Sequence, residues 1–363
     1  MRRFLVPFSL LSPLAATVLL VGCKDRDGGS ASSGDNPNRI SGGGATFVDP
    51  IMQKWSKEYG TQTGVEIDYS KSGSTDGIKQ MTEKALHFGC SDAPMKKDQI
   101  AAAQGKGGEV FHIPLITGAV AVIYNLPGVA GLKLSGPVVA DIYLGKLTAW
   151  NADPIKALNP GVNLPDTKIT PVYRSEGSGT TNIFTEYLGK VSQEFADKIP
   201  ASTLPTWPNI GLGQKGSDGV AGHVKKNEGC IGYVEVAYAE LNGIASASIR
   251  NAKGKDVAPK AAGVTAAAEW AMTNGQKKGV YDPAQLTYSL TNAEADAAYP
   301  ICGISYCLIY KRVAAERGKK LVEFLKWATS DGQKFAVDLH YAPLPAELSK
   351  KVAERLEQVE LVQ

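Results

Sequence analysis

The sequence predicts an α/β fold large enough for two domains, and three observations support this prediction. The chain has 363 residues, which corresponds to about two domains at roughly 150 residues each. Of these residues 43% are hydrophobic and 21% are charged, a composition typical of folded soluble proteins. Stretches in which apolar residues recur with helical spacing alternate along the chain with apolar runs typical of strands.

The first segment has the pattern of an export signal. Arg2 and Arg3 precede an uncharged, largely apolar stretch from Phe4 to Gly22, which is short for a membrane span. The stretch ends in Leu-Val-Gly-Cys23, which resembles the lipobox at which bacterial lipoproteins are cleaved and lipidated on the cysteine. We expect residues 1–22 to be a lipoprotein signal peptide and Cys23 to carry the lipid. The alternative is an uncleaved anchor helix with an incidental cysteine, and both alternatives export the protein.

A polar segment follows the lipobox. Residues 24–38 contain no large apolar side chain, so we predict a flexible tether over residues 23–40. Loss of Arg2 and Arg3 lowers the formal net charge from +3 to +1. No basic run remains that could neutralise a row of phosphates, which disfavours nucleic-acid binding. Any site for an anion must therefore be local.

The main elements follow from apolar spacing. Ile51, Met52, Trp55 and Tyr59 predict the first helix, and Val65 to Tyr69 alternates like a strand. The remaining elements predicted in this way are a helix over 75–86, one or two buried strands over 113–126, and helices over 181–188 and 319–329.

Loops rich in Gly, Ser and Thr lead from extended segments into these helices. They cover residues 42–47, 72–77 and 174–181, and the last begins with Arg174. A helix N-terminus presents unpaired backbone N–H groups and a positive dipole end, which together bind anions. A different segment, residues 88–94, places Asp92 after a predicted strand. Each loop alone is typical of an ordinary turn, but three such loops and one arginine favour an anion site.

Four cysteines, Cys90, Cys230, Cys302 and Cys307, remain besides Cys23. An oxidising compartment permits up to two disulfides among them, and buried free thiols are the alternative. If residues 302–307 form an extended strand, Cys302 and Cys307 are about 16 Å apart and outside disulfide reach.

The order and content of these motifs resemble the PstS-type substrate-binding protein of the phosphate ABC transporter. The resemblance covers about residues 41–350 through GGGATF, SKSGSTDGIKQ, FGCSDAP, DIYLGKLTAWNADPIKALNPG, YRSEGSGTTNIFTEYL, GLGQKGSDGV and GCIGYVEVAYAE. It implies a two-lobed periplasmic binding-protein fold of type II, with a ligand cleft between lobes that a two-stranded hinge joins. The implied lobes are residues 41–116 plus 300–363 and residues 117–299.

The resemblance also implies a set of phosphate ligands. In this sequence they are Thr46, Phe47 (through its backbone N–H), Ser74, Asp92, Arg174, Ser178, Gly179 and Thr180. The sequence departs from the family pattern at Glu176, where Asp is frequent and pairs with the arginine, so the pairing of Glu176 with Arg174 is left open. Cys90 and His87 are further departures, at positions where Ala and Asp are common.

The predicted ligand set also makes physical sense. Hydroxyl groups and helix N-termini replace the water that a buried phosphate loses. Asp92 suits this site because phosphate carries O–H groups at neutral pH, whereas sulfate does not and would meet the carboxylate with no proton between them. The alternative for Asp92 is a helix-capping role.

We therefore expect high-affinity phosphate binding and delivery to an ABC permease, without catalysis, cofactor or metal. The protein is expected to be an exported monomer that is lipid-anchored to the bacterial membrane and faces the periplasm or the cell exterior. One alternative is a surface-anchored phosphate receptor or scavenger without a permease. A less favoured alternative is a phosphate-ester hydrolase using Ser74 or Ser178, although neither serine lies in G-x-S-x-G and no nucleotide P-loop motif occurs.

Overall fold

The computed structural model describes residues 36–279 and 281–363. The predicted signal peptide, the lipidation residue Cys23 and most of the predicted tether lie outside the described residues. The first strand begins at Arg39, inside the range predicted for the tether.

Strands and helices alternate along the described chain. The strands are β1 Arg39–Gly44, β2 Glu66–Lys71, β3 Phe88–Ser91, β4 Val110–Tyr124, β5 Lys133–Ser135, β6 Thr170–Arg174, β7 Leu212–Gln214, β8 Cys230–Glu235, β9 Ser248–Arg250, β10 Asp256–Val257, β11 Tyr281–Asp282, β12 Thr287–Tyr288, β13 Cys302–Tyr310, β14 Arg312–Ala314 and β15 Glu360–Val362. The α-helices are α1 Asp49–Thr63, α2 Ser74–Thr82, α3 Lys97–Gly107, α4 Gly136–Tyr143, α5 Asp153–Leu158, α6 Gly179–Val191, α7 Gln193–Lys198, α8 Gly216–Lys226, α9 Val236–Leu241, α10 Ala261–Lys278, α11 Ala315–Ala328 and α12 Ala346–Glu357.

The helices and strands predicted from apolar spacing are present, with two differences in extent. The helix predicted over residues 75–86 ends at Thr82, because Lys84 adopts a left-handed conformation with φ of 58° that an α-helix does not accept. The apolar run predicted as one or two strands is the single strand β4, in which every residue is buried. A strand buried on both faces has no polar alternation to mark its ends.

One sheet of eight strands organises the described fold, in the order β2-β1-β3-β13-β4-β8-β6-β7. Strand β13 lies between β3 and β4 and is antiparallel to both. The long strand β4 pairs with β13 up to Ala119 and with β8 from Val120 onward. The two ends of β4 therefore belong to two different parts of the sheet.

Two glycines face each other where β4 changes partner. Gly118 of β4 pairs with Gly303 of β13. A Cβ atom on Gly118 would lie 2.7 Å from the Phe47 ring, and one on Gly303 would lie 2.2 Å from the side chain of Ile183. Side chains from α6 and from the loop before α1 thus pack directly on the backbone of the crossing strands, which requires glycine at both positions.

Helices cover both parts of the sheet, and large aromatic side chains fill the space between the layers. The fully buried aromatic side chains include Trp55, Phe88, Trp150, Phe184 and Tyr341. Within the described part of the chain, no helix combines the length and the hydropathy that a membrane crossing requires.

Candidate functional site: a buried cluster of hydroxyls, helix N-termini, one arginine and one carboxyl group

The N-termini of α2 and α6 meet at the centre of the candidate site. The Gly179 N–H donates a hydrogen bond to Ser74 Oγ at 2.9 Å, and the Thr75 N–H donates to the Gly177 carbonyl at 3.2 Å. Gly179 has no room for a side chain, because a Cβ there would lie 2.6 Å from both Ser74 Oγ and Asp92 Cβ. Two positive dipole ends are consequently directed at the same small region.

Asp92 follows strand β3 and is buried in this region, with 4% of its surface exposed. Its Oδ1 accepts a hydrogen bond from Ser305 Oγ at 2.7 Å, and its Oδ2 accepts a longer one from Ser74 Oγ at 3.4 Å. Burial raises the pKa of Asp92 to about 7, although Ser305, Arg174 and Ser74 each favour the ionised form and lower it. The carboxyl group is therefore close to the point at which it exchanges a proton at neutral pH.

Arg174 ends strand β6, and its side chain is only 1% exposed. Its Nε donates to Glu176 Oε1 at 2.7 Å, and Nη2 also contacts this oxygen. The pairing that the sequence left open is thus formed. Glu176 Oε1 also accepts the Gly216 N–H at 3.0 Å, which holds the carboxylate against the start of α8.

Ser217, near the start of α8, connects Arg174 with Thr46. Thr46 Oγ1 lies 2.8 Å from Ser217 Oγ, and Arg174 Nη1 donates to the same Ser217 oxygen at 3.3 Å. The backbone carbonyl of Thr46 accepts a hydrogen bond from Tyr238, and that of Phe47 accepts one from Tyr341. These bonds anchor the loop before α1 through its carbonyl groups.

Ser178 and Thr180 complete the N-terminus of α6. Ser178 is the N-cap, and its Oγ accepts the Thr181 N–H at 3.2 Å. The hydroxyl of Thr180 is buried and has no hydrogen-bond partner among the described atoms. Because an unpaired buried hydroxyl is costly, this group is suited to a ligand.

The structure brings the predicted site residues together through three connected groups. Ser74, Asp92 and Gly179 contact one another, Thr46 and Arg174 share Ser217, and Ser178 to Thr180 form one helix start. The charge of Arg174 offsets part of the rise that burial causes in the pKa of Asp92, which connects the first two groups electrostatically. The contacts of Phe47 involve its carbonyl group and its ring. The role of its backbone N–H as a phosphate ligand stays a prediction.

Sequence reasoning missed two serines that touch the site. Ser217 lies in the motif GLGQKGSDGV, where Gly216 and Ser217 at the start of α8 repeat the Gly/Ser pattern of the other helix starts. That pattern could have identified it. Ser305 lies inside the apolar strand β13 and reaches Asp92 only because β13 is inserted beside β3, so nothing local in the sequence indicates its role.

In chemical terms, the cluster offers many hydrogen-bond donors, one guanidinium group and one carboxyl group of near-neutral pKa. That combination suits a small, dehydrated oxyanion that itself carries a proton. Among the described residues, no group of three or more His, Cys, Asp or Glu side chains is placed to hold a metal ion.

Comparison with known proteins identifies the family. A family model described as a PBP superfamily domain matches residues 31–332. The phosphate-binding protein PstS of Xylella fastidiosa (strain 9a5c) is 39% identical over 370 residues, which cover 97% of this chain and 98% of the relative. PstS of Pasteurella multocida (strain Pm70) is 41% identical over 319 residues, covering 86% and 88% of the two chains. This chain belongs to the PstS family.

Similarity to a solved structure supports the architecture. A high affinity periplasmic phosphate-binding protein (PfluDING), determined with bound phosphate, aligns with a TM-score of 0.70 over 87% of this chain and 93% of that chain, at 22% identity. At this identity the likeness concerns the fold, and it confirms the predicted binding-protein fold of type II. Membership of the PstS family also confirms the prediction of a binding protein of phosphate transport rather than an enzyme.

Proposed function

We propose that this protein binds inorganic phosphate at the cluster around Asp92 and Arg174 and delivers it to an ABC importer. The observation that carries the proposal is the carboxyl group of Asp92, which is buried among hydrogen-bond donors and accepts bonds from Ser305 and Ser74. A carboxylate among anion-binding groups is useful only when the anion brings a proton, and phosphate does so at neutral pH.

The proposed ligands are the residues predicted from the sequence. Hydroxyl groups of Thr46, Ser74, Ser178 and Thr180 and backbone N–H groups of Phe47 and Gly179 donate to phosphate oxygens. Arg174 supplies the positive charge, and Asp92 accepts a phosphate proton. Ser217, Glu176 and Ser305 hold these groups in place, since they contact Thr46, Arg174 and Asp92 directly.

The proposed ligands come from two lobes, which we place at residues 41–116 plus 300–363 and at residues 117–299. Strands β4 and β13 form the connection, and the paired glycines Gly118 and Gly303 lie where the strands cross. We further propose that residues 1–22 are removed on export and that Cys23 carries a lipid anchor. The protein then acts as a monomer that is anchored to the bacterial membrane and faces the periplasm or the cell exterior.

Calorimetric titration of the ligand-stripped mature chain with phosphate, sulfate and arsenate tests the proposed binding. Phosphate should bind tightly and arsenate, which has the same protons, should compete with it, whereas sulfate should bind far more weakly. Equal affinity for sulfate and phosphate would refute the role of Asp92. Loss of phosphate uptake in a deletion strain tests delivery to a permease, and unchanged uptake would favour a receptor or scavenger.

A further inference from the structure

Two cysteines lie directly opposite each other in neighbouring strands. Cys90 of β3 pairs with Cys307 of β13 in the antiparallel ladder. Residues opposite each other in such a ladder direct their side chains to the same face of the sheet. Both residues are completely buried. The two side chains therefore lie next to each other in the protein core.

The ladder geometry fits a disulfide. Opposite residues of antiparallel strands have Cα atoms about 4.5–5.5 Å apart, and disulfides join residues whose Cα atoms are about 4.4–6.8 Å apart. The backbone on the Cys90 side is firmly fixed, because the Cys90 carbonyl accepts the Ala45 N–H at 2.9 Å and packs against Gly44. Bond formation therefore needs side-chain rotation and little movement of the strands.

The other two described cysteines are placed differently. Cys302 lies opposite Ala119 of β4, and its thiol contacts the Tyr299 carbonyl at 3.1 Å. Cys230 lies opposite Thr170 of β6. Neither Cys230 nor Cys302 has a cysteine as its ladder partner. Among the disulfide pairings that the sequence left open, the strand register therefore favours Cys90 with Cys307.

We propose that Cys90 and Cys307 are joined by a disulfide when the protein folds in an oxidising compartment. The thiolate of one cysteine attacks the disulfide of a thiol–disulfide oxidant and releases one oxidant sulfur as a thiolate. The thiolate of the second cysteine then attacks the mixed disulfide, which forms the Cys90–Cys307 bond and releases the second oxidant sulfur. The two cysteines lose two protons and two electrons, and the oxidant leaves as a dithiol.

This reaction belongs to the folding stage. Burial, together with the neighbouring Cys90 thiol, raises the pKa of Cys307, so the thiolate is disfavoured once the sheet has closed. The same burial then protects the finished bond from reductants. In the folded protein as described, both residues are thiols, which corresponds to the reduced form of the pair.

The bond would lie beside the candidate site. Asp92 and Ser305 are each two residues from a member of the pair. Ser305 belongs to β13, and Asp92 directly follows Ser91, the last residue of β3. Their hydrogen bond at 2.7 Å joins the two segments just beyond the last paired residues of the ladder, Ser91 and Tyr306. A disulfide would hold β3 and β13 together at this point and fix the partner of Asp92.

Alkylation of the purified chain in denaturant without reductant, followed by peptide mass spectrometry, tests the proposal. The protein is first refolded in a glutathione redox buffer. Cys230 and Cys302 should be alkylated, whereas Cys90 and Cys307 should appear as one linked pair of peptides that separates on reduction. Alkylation of both Cys90 and Cys307 after this treatment, or a linkage to another cysteine, would overturn the proposal.

Matched variants separate the bond from an effect on folding. Cys90→Ala should leave Cys307 alkylated, and Cys302→Ala, a change at an equally buried position of the same strand, should leave the linked pair intact. Oxidised wild-type protein should also require more urea for unfolding than reduced protein, whereas Cys90→Ala should show no such difference. These readouts do not involve phosphate, so their failure would leave the proposed function untouched.

Discussion

Asp92 is the residue on which discrimination between oxyanions depends, because it is the one carboxyl group among the proposed ligands. Asp92→Asn keeps the size of the side chain and offers an amide N–H to a fully ionised oxygen. Sulfate should therefore gain on phosphate by about tenfold to a hundredfold, the equivalent of 1–3 kcal/mol for a buried unsatisfied acceptor. Competition titrations at neutral pH measure the ratio of the two affinities. A ratio equal to that of the wild type would show that selectivity arises elsewhere.

The same carboxyl group should make stability depend on pH. The pKa of Asp92 is raised from 3.8 to about 7 in the folded chain. Its favourable contribution to the free energy of unfolding is then complete below about pH 4 and is lost as the pH rises through 7. The loss is at most about 4 kcal/mol, at 1.4 kcal/mol per pKa unit.

Urea denaturation in phosphate-free buffer at pH 4.5 and pH 8 checks this expectation. Asp92→Asn should lose much less stability between the two pH values than the wild type does. The pKa of Glu235 is also raised by burial. The unfolding free energy of the Asp92→Asn variant should therefore still fall to some extent as the pH rises. An equal loss of unfolding free energy between pH 4.5 and pH 8 in the wild type and in Asp92→Asn would contradict the prediction.

Arg174 should account for much of the affinity, since it is the one cation among the proposed ligands. Arg174→Ala removes a charge-assisted contact and leaves Glu176 without its partner, so phosphate binding should weaken by a few kcal/mol. Arg250 also pairs with a carboxylate, Asp256, but is 40% exposed and lies outside the candidate site. Isothermal titration should find Arg250→Ala unchanged, and an unchanged Arg174→Ala would remove Arg174 from the site.

At the scale of elements, the close contact between α6 and α2 should be sensitive to a single methyl group. Gly179→Ala places a Cβ 2.6 Å from Ser74 Oγ and Asp92 Cβ, so the start of α6 must move away. Overpacking of this kind costs about 1–3 kcal/mol, and phosphate affinity should fall about tenfold to a hundredfold.

A second glycine of the same helix provides the control for this change. A Cβ on Gly189 would meet Ala196 at 3.6 Å, an ordinary contact. Gly189→Ala should thus retain wild-type phosphate affinity in the same titration. If both variants bind like the wild type, the two helix starts are not held together in the bound form.

Local patterns predicted the elements whose apolar spacing is clear. Helix α1 and strand β2 are examples, because each buries one face and shows it in its spacing. The order in which the strands pair could not be predicted from local patterns. Nothing near residues 302–310 indicates that they insert between β3 and β4, and Ser305 was missed for that reason. The pairing of Glu176 with Arg174, only two residues away, depends on side-chain conformation, which the sequence alone does not give.

For the whole molecule, we predict closure of the two proposed lobes around phosphate. Ligands proposed on both sides of the crossing strands are drawn together only when one anion contacts both sets. Small-angle X-ray scattering of the ligand-stripped chain should show a smaller radius of gyration after phosphate is added and no change with equal sulfate. Identical profiles with and without phosphate would contradict closure.

Because β13 lies at the centre of the sheet but late in the sequence, the sheet can be completed only when most of the chain has been synthesised. Strands β1 to β4 emerge early, but β13, which joins β3 to the first part of β4, follows only at residues 302–310. During synthesis and export, the edges of β3 and β4 therefore remain exposed, and such edges invite pairing with other chains. A polypeptide of this topology depends on protection from misassembly until nearly all of its length has been delivered, and truncation before residue 302 would leave the early strands permanently without their central partner.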